Sequence, residues 1–468
     1  MTRSSLKYIF IVLAAGAMFL SCKVNKTYQQ PDANTNALYR DQTTSDTANL
    51  ASMPWPSLFT DTVLKGLIQE GISQNLNLKI AVQKIIEAQA ALGQSKGVLF
   101  PTLSAYASVN PSKQSPAALD FPPGININTH TTLYQLGLSS SWEADIWGKL
   151  SSAKRGALAN LLQTDAAKRA IQTQLIADIA INYYNLLALD KELEITTRTM
   201  LNRAKDVETM KTLKEAAVVN GAAVVQSEAN RYAAEVAIPD IKRSIRETEN
   251  ALDLLLGRAP GPVKRGKLDD QKPATDLPTG MPSQLLKNRP DVQQAEYGFR
   301  SAFENTNVAQ AYFYPSFTIT ASGGFSNLQL KDFFINSVFY NIAAGLTQPI
   351  FNQGINKARL KTAQAQQKEA MYNYQQTVLT AGSEVSNALY SYQSALEKDA
   401  ARSKQIAALE KAVDYTQQLL RYSSATNYTD VLTSEQSLLA AQLSGVNDRL
   451  QQLQAIVNLY RALGGGWR

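Results

Sequence analysis

Cysteine and histidine are nearly absent from this chain. Its 468 residues hold one of each, Cys22 and His130. That scarcity excludes a disulfide framework, a Cys/His zinc cluster and any Cys/His or Ser/His/Asp catalytic set. Carboxylate-only sites stay open, because Asp and Glu are plentiful. His130 lies in a polar run, Asn128-Thr129-His130-Thr131-Thr132, at the start of a predicted strand, and reads as an exposed loop residue. Beyond the N-terminus no apolar run approaches the roughly 20 residues of a membrane-spanning helix, so any crossing has to use strands. Proline is missing from Lys149 to Ile238 and again from Ile350 to Arg468, where glycine is also sparse until Gly464-Gly465-Gly466. Proline removes a backbone donor and clashes with the preceding turn, so both spans can form very long helices.

A net charge of +7 is modest for this length, and acids and bases interleave, as in Lys149 to Arg155 and Lys191 to Arg203. These read as solvated helix faces, and without a basic stripe carrying aromatics no nucleic-acid partner is expected. A hydrophobic fraction of 44% accompanies a mean hydropathy just below zero, so most of the chain expects water. The length allows two to four domains or one elongated body. No constellation supports an enzyme, a cofactor or a metal.

The N-terminus has the layout of an export signal: Arg3 and Lys7, an apolar stretch from Tyr8 to Leu20, then Phe19-Leu20-Ser21-Cys22. The end of this stretch resembles a bacterial lipobox, with Phe19 where leucine is usual. This implies a signal peptide over 1–21, a lipidated Cys22 and an N-terminal extension over 22–54. The plain alternative is a conventional signal with an incidental cysteine. Acyl chains add about 0.8 kcal/mol of membrane affinity per buried CH₂, so a multiply acylated Cys22 would anchor firmly.

The chain also repeats itself. Asn220-Gly221 through Leu256-Gly257 aligns without gaps onto Asn427-Tyr428 through Leu463-Gly464, and Leu99-Phe100-Pro101-Thr102-Leu103 resembles Phe313-Tyr314-Pro315-Ser316-Phe317. Each half reads helix, strand, strand, long helix, helix: 55–260 and 283–468, joined by a proline-rich connector over 261–282. In the second half Phe317, Ile319, Ala321 and Phe325 alternate with Ser316, Thr318, Thr320 and Ser322. Its partner strand sets Val338, Tyr340, Ile342, Ala344 and Leu346 against Asn341 and Thr347. Thr102 to Val109 and Thr131 to Ser141 alternate less sharply. Period-two patterning gives one apolar and one polar face, and a soluble half-buried sheet would look alike. These segments nonetheless reach the ~9–11 residues a transmembrane strand needs. Four strands cannot close a barrel, and open edges in lipid cost several kcal/mol per unpaired backbone group. If the strands span a membrane, several copies have to complete one barrel.

Lys149 to about Val219 would make a helix of roughly 105 Å at 1.5 Å per residue, and Ile355 to about Arg421 is nearly as long. Leu175, Ile179 and Leu186, or Val378, Val385 and Leu389, recur at helical spacing as core positions would. Ala, Gln, Ser and Asn dominate the remainder, which suits a polar lumen on one side. The elements together predict an α+β membrane protein built of two structural repeats.

Several motifs occur in a fixed order from about Trp55 onward: Ser141-Trp142-Glu143-Ala144-Asp145-Ile146-Trp147-Gly148-Lys149, Glu249 through Gly257, Leu277 through Asp291 with its Arg289-Pro290-Asp291, Gln348-Pro349-Ile350-Phe351, and Leu459 through Trp467. On these the chain resembles the TolC-like outer-membrane factors, in the lipoprotein branch that includes OprM and the NodT group. They also have local readings: Pro290 and Asp291 suit a first helical turn, and the Leu-Gly pairs ending each half suit helix C-termini. The resemblance implies a homotrimer whose twelve-stranded outer-membrane barrel takes four strands from each chain and continues into a long α-helical periplasmic tunnel. It implies a passive exit duct joined through a periplasmic adaptor (membrane fusion) protein to an inner-membrane RND-type transporter, which supplies the energy and selects the cargo. The outer duct of a type I protein secretion system would share this architecture. A lipoprotein scaffold without a pore would lack paired strands of membrane length.

The family closes its periplasmic end where each long helix turns into the next, here Val219-Asn220-Gly221 and Ser424 to Tyr428. Carrying the last-helix motif over residue by residue places Thr429, Asp430 and Thr433 at the constriction. Thr433 stands where a second aspartate is frequent, and Ala425 where glycine is common. A trimer would turn one aspartate into a ring of three, favouring cations. The plain alternative is that Asp430 only starts a helix.

Overall fold

The computed structural model describes residues 24–32, 35, 38–40, 48–115, 129–272, 278–422 and 428–468. Cys22, the signal 1–21 and the turn residues 423–427 lie outside them. Seven helices of more than three turns are described: α1 (Thr62–Gln74), α2 (Leu76–Gly97), α3 (Lys149–Glu215), α4 (Gly221–Leu256), α5 (Pro290–Ala311), α6 (Ile355–Tyr422) and α7 (Tyr428–Ala462). Strands β1 (Thr102–Lys113) and β2 (His130–Ala144) separate α2 from α3, while β3 (Ser316–Asn327) and β4 (Val338–Thr347) separate α5 from α6. Helix, strand, strand, long helix, helix therefore occurs twice in succession.

The two proline-free spans deliver the two longest helices, of 67 and 68 residues. α4 is opened by Asn220, whose side chain accepts from Ala223 N, and it runs on through Pro239. Gly257 and Gly464 end the two aligned helices at φ +69° and +91°. That backbone region penalises a Cβ, so glycine is the natural residue past a helix C-terminus.

By contacts the chain forms two compact units: Met1–Pro31 with Ile85–Gln163 and Ala295–Asn373, and Asp32–Lys84 with Thr164–Gln294 and Tyr374–Arg468. Each draws segments from both sequence halves. The second unit is a helical bundle whose buried positions include Leu64, Ile68, Leu175, Ile179, Leu186, Leu252 and Val385. Each such side chain contributes about 1.5–3 kcal/mol. Leu389, expected in this core, is half-buried, and Ala388 takes the inward position in its place. The Arg289-Pro290-Asp291 motif lies in this unit. Pro290 starts α5 and Asp291 sits in its first turn as expected. Arg289 is buried, donating to Asp291, to Glu384 Oε2 at 2.7 Å and to the Ala462 carbonyl at 2.9 Å. It holds the end of α7 against α6 and the start of α5.

The first unit carries one four-stranded antiparallel sheet in the order β1-β2-β3-β4. β1 runs on past Val109 through Pro111 to Lys113, farther than its alternation predicts. Within the single chain β1 has a partner on one side only, and Pro111 lies near its far end, where a missing donor costs the ladder least. His130 is the exposed first residue of β2, opposite Lys113, and so belongs to the strand rather than to a loop. The Ser141 to Lys149 motif joins β2 to α3. Trp142 Nε1 donates to the Leu99 carbonyl at 3.0 Å, and Trp147 Nε1 to that of Pro315 at 2.7 Å. Asp145 accepts from Leu150 N and Ser151 N, both at 2.8 Å, and so caps the first turn of α3.

Candidate functional site

Two places bear on function, one in each unit. In the sheet, directly paired residues share a face, so the register sorts every side chain. One face carries the cross-strand rows Ala107–Leu136–Phe325–Val338, Ala105–Leu138–Gly323–Tyr340 and Trp142–Ile319–Ala344. Its apolar side chains are not covered as a core would be: Leu103 is 73% exposed, Leu138 53%, Tyr340 84% and Ile342 73%. The opposite face carries Thr102–Ser141–Thr320–Ala343 and Ser104–Ser139–Ser322–Asn341, a hydroxyl-rich surface. Across the next row Tyr106 faces Gly137, and a Cβ on Gly137 would lie 3.2 Å from Tyr106 Cζ. The ring therefore lies over bare backbone and fills the space a side chain would take. Glu143, on the polar face, pairs with Lys149 at 2.5 Å. Among the described residues β1 and β4 are each paired on one side only.

The second place is the start of α7. Tyr428, Val431 and Leu432 are buried in a cluster with Met210 of α3 and Val224 of α4, with Leu213, Val219, Ala223 and Leu420 packed around it. Burial pushes the Tyr428 phenol up. Helical spacing then turns Thr429, Asp430 and Thr433 to the other side, and all three are exposed. The three predicted residues thus share one face within the first two turns. Thr433 Oγ1 donates to the Thr429 carbonyl and Ser434 Oγ to that of Asp430, each at 2.9 Å. Asp430 is the one charged residue of the set. A carboxylate in the first turn also stabilises the helix by about 0.3–1 kcal/mol, so the helix-starting reading holds alongside any further role.

Farther along α7 lies a polar groove lined by Arg198, Arg203, Asp206, Glu410, Gln417 and Glu435. Arg203 is buried and donates to the Asn230 carbonyl at 2.8 Å. Gln417 Nε2 donates to Glu435 Oε1 at 2.9 Å, linking α6 to α7. Burial pushes the Glu435 carboxyl above its ordinary value, opposed by the Gln417 hydrogen bond and the Arg203 charge. Sequence reasoning missed this groove, because its residues come from segments more than two hundred positions apart and carry no local pattern.

A family model described as outer membrane efflux protein matches residues 67–258 and 281–465. The solvent efflux pump outer membrane protein SrpC of Pseudomonas putida is 29% identical over 99% of both chains. The probable outer membrane lipoprotein SilC of Salmonella typhimurium is 27% identical over 99% of this chain and 98% of its own. Among solved structures, the open state of the MtrE outer membrane channel of Neisseria gonorrhoeae superposes with a TM-score of 0.84 at 27% identity, covering 96% of this chain and 99% of that one.

Proposed function

The chain belongs to the outer membrane efflux protein family, and from that premise we propose that three copies close one barrel as the exit channel of a tripartite pump. It is an outer-membrane protein of efflux, and its fold is that of outer-membrane channels. One observation carries the assembly: a single sheet, apolar on one face and hydroxyl-rich on the other, with an open edge on β1 and on β4. In lipid each unpaired backbone group at such an edge costs several kcal/mol, and pairing β4 of one copy with β1 of the next removes the cost. Three copies give about twelve strands, well within the size range of outer-membrane barrels.

The apolar face then meets lipid and the hydroxyl face lines the lumen. The halves 55–260 and 283–468, joined by 261–282, contribute equivalent pairs of strands and helices, and the helices continue the lumen into the periplasm. There the tunnel meets a periplasmic adaptor protein, and through it an inner-membrane RND-type transporter that supplies energy and cargo. Cys22, at the end of the signal 1–21 and the head of the extension 22–54, carries the lipid anchor, a reading supported by the lipoprotein among the relatives. Thr429, Asp430 and Thr433 form the periplasmic constriction, where three copies of Asp430 make a carboxylate ring that favours cations.

The test is the mass of the detergent-extracted protein followed by single-channel recording in planar bilayers. Three copies per particle and a small cation-selective conductance, which rises when Asp430 is replaced by Asn, are the expected results. A trimer whose conductance and selectivity ignore Asp430→Asn removes the constriction from these residues. A monomer without conductance removes the channel.

A further inference from the structure

The hairpin joining β3 to β4, at the end of the sheet away from the helix junctions, is rich in apolar side chains, and its two charges, Lys331 and Asp332, pair with each other at 4.0 Å. Leu328 is 56% exposed, Leu330 65%, Phe334 67% and Ile335 62%. These side chains do not form a core of their own, yet the loop is built rather than loose. Asn327 Nδ2 donates to the Asp332 carbonyl at 2.7 Å, and Gln329 N donates to Asn327 Oδ1 at 3.1 Å. Ile335 N donates to the Asp332 carbonyl at 2.8 Å, and Ser326 N to that of Ser337 at 2.7 Å. Satisfying backbone groups within the segment is what an apolar solvent demands.

The direction of the loop is set by its rings. Phe334 packs edge-on against Phe325 at 5.1 Å and against Phe333 at 5.0 Å. Phe325 belongs to the apolar face, in register with Leu136 and Val338. The aromatic cluster therefore extends the apolar face beyond the strand ends, on the side away from the hydroxyl face. Length gives the extension a purpose. On β3 the apolar face covers about eight steps of ~3.3 Å from Phe317 to Phe325, and a strand tilt of ~40° projects this to roughly 20 Å along a membrane normal, whereas on β2 it runs on from Ala144 to Tyr134 and reaches about 25 Å. Outer-membrane barrels present an apolar band about 25 Å tall, flanked by aromatic residues.

We propose that the Leu328–Ile335 loop is a lipid-seated wedge: Leu330, Phe333, Phe334 and Ile335 enter the acyl region of the outer leaflet and complete an apolar belt that β3 and β4 leave short. The proposal rests on the barrel reading above. Acyl chains are its occupant because the cluster is continuous with the apolar rows that the proposed barrel turns toward lipid.

Spin-label accessibility tests it in the full chain. Nitroxides are placed at Phe334→Cys or Tyr340→Cys in a Cys22→Ala background, and the assembled protein is reconstituted in vesicles of phosphatidylethanolamine and phosphatidylglycerol. Collision with dissolved oxygen, which partitions into acyl chains, is compared with collision with a water-soluble nickel chelate. Oxygen is expected to dominate at both positions, with the label at 340 the deeper. Oxygen at 340 with nickel at 334 overturns the wedge and leaves the barrel standing. Nickel at 340 overturns the barrel reading beneath it. A label at 334 that is immobile and spin-coupled to another copy overturns the wedge in favour of a contact between copies. Ile335→Cys serves as the second position if Phe334→Cys fails to assemble.

Discussion

The sheet and the start of α7 sort apolar from polar residues by the same geometric rule and to opposite ends. At α7 the apolar side chains Tyr428, Val431 and Leu432 turn into a protein core, and Thr429, Asp430 and Thr433 face outward. In the sheet the apolar rows face outward too, with Tyr340 and Ile342 far more exposed than any core residue. A single solvent explains the helix turn. On the barrel proposed here the sheet meets two solvents, one on each face, and its open edges meet strands of further copies.

The largest effect should come from putting a charge on the lipid side. Leu138→Arg, midway along β2, is expected to cost about 2–4 kcal/mol in each copy. Compounded over the proposed trimer, this should remove the protein from the outer-membrane fraction. Ser139→Arg, one residue on and on the other face, should still assemble and instead alter conductance. Equal loss for both substitutions would erase the distinction between the faces.

On the helical side, Arg289→Ala should cost about 3 kcal/mol, because it strands Asp291, Glu384 and the Ala462 carbonyl around a buried gap. Thermal unfolding of the detergent-solubilised protein would read this out. Leu432→Ala should cost about 2–3 kcal/mol by opening a cavity under the first turn of α7. Thr433→Val, on the exposed side of the same turn, should stay within about 0.5 kcal/mol. A reversed ranking would mean that the outward face is covered in the assembly.

The smallest effect is electrostatic. Burial raises the folded-state pKa of Glu435 above its unfolded value, so its ionised form opposes folding at neutral pH. Lowering pH through the folded value relieves this cost, and the gain is complete at the unfolded value of about 4.3. Unfolding temperature should therefore respond less to a step from pH 7 to pH 5 in Glu435→Gln than in the parent, and the variant should be the more stable of the two at pH 7.

What could be read in the sequence follows physical range. The long helices were legible because proline is absent over two whole spans, and β3 and β4 because their alternation is strict and local. β1 was read short at Val109, because Pro111 argues against a strand unless its edge position is known. A motif alone pointed to Thr429, Asp430 and Thr433 as a constriction, and the structure adds that the three are exposed on one face of α7. Tyr106 over Gly137, the Arg289 clamp on Ala462 and the groove around Glu435 join residues far apart in the chain, and no local pattern announces them. The apolar hairpin Leu328–Ile335 went unread in the sequence, because the face it extends is defined only by the strand register.

The most direct test of the two-solvent sheet uses neighbouring residues of β3. In a Cys22→Ala background, single channels of Ser322→Cys and Ala321→Cys are exposed to a charged, membrane-impermeant methanethiosulfonate. The sheet described here predicts a stepwise change of conductance for Ser322→Cys and none for Ala321→Cys. Block at both positions, or at Ala321→Cys alone, would contradict it.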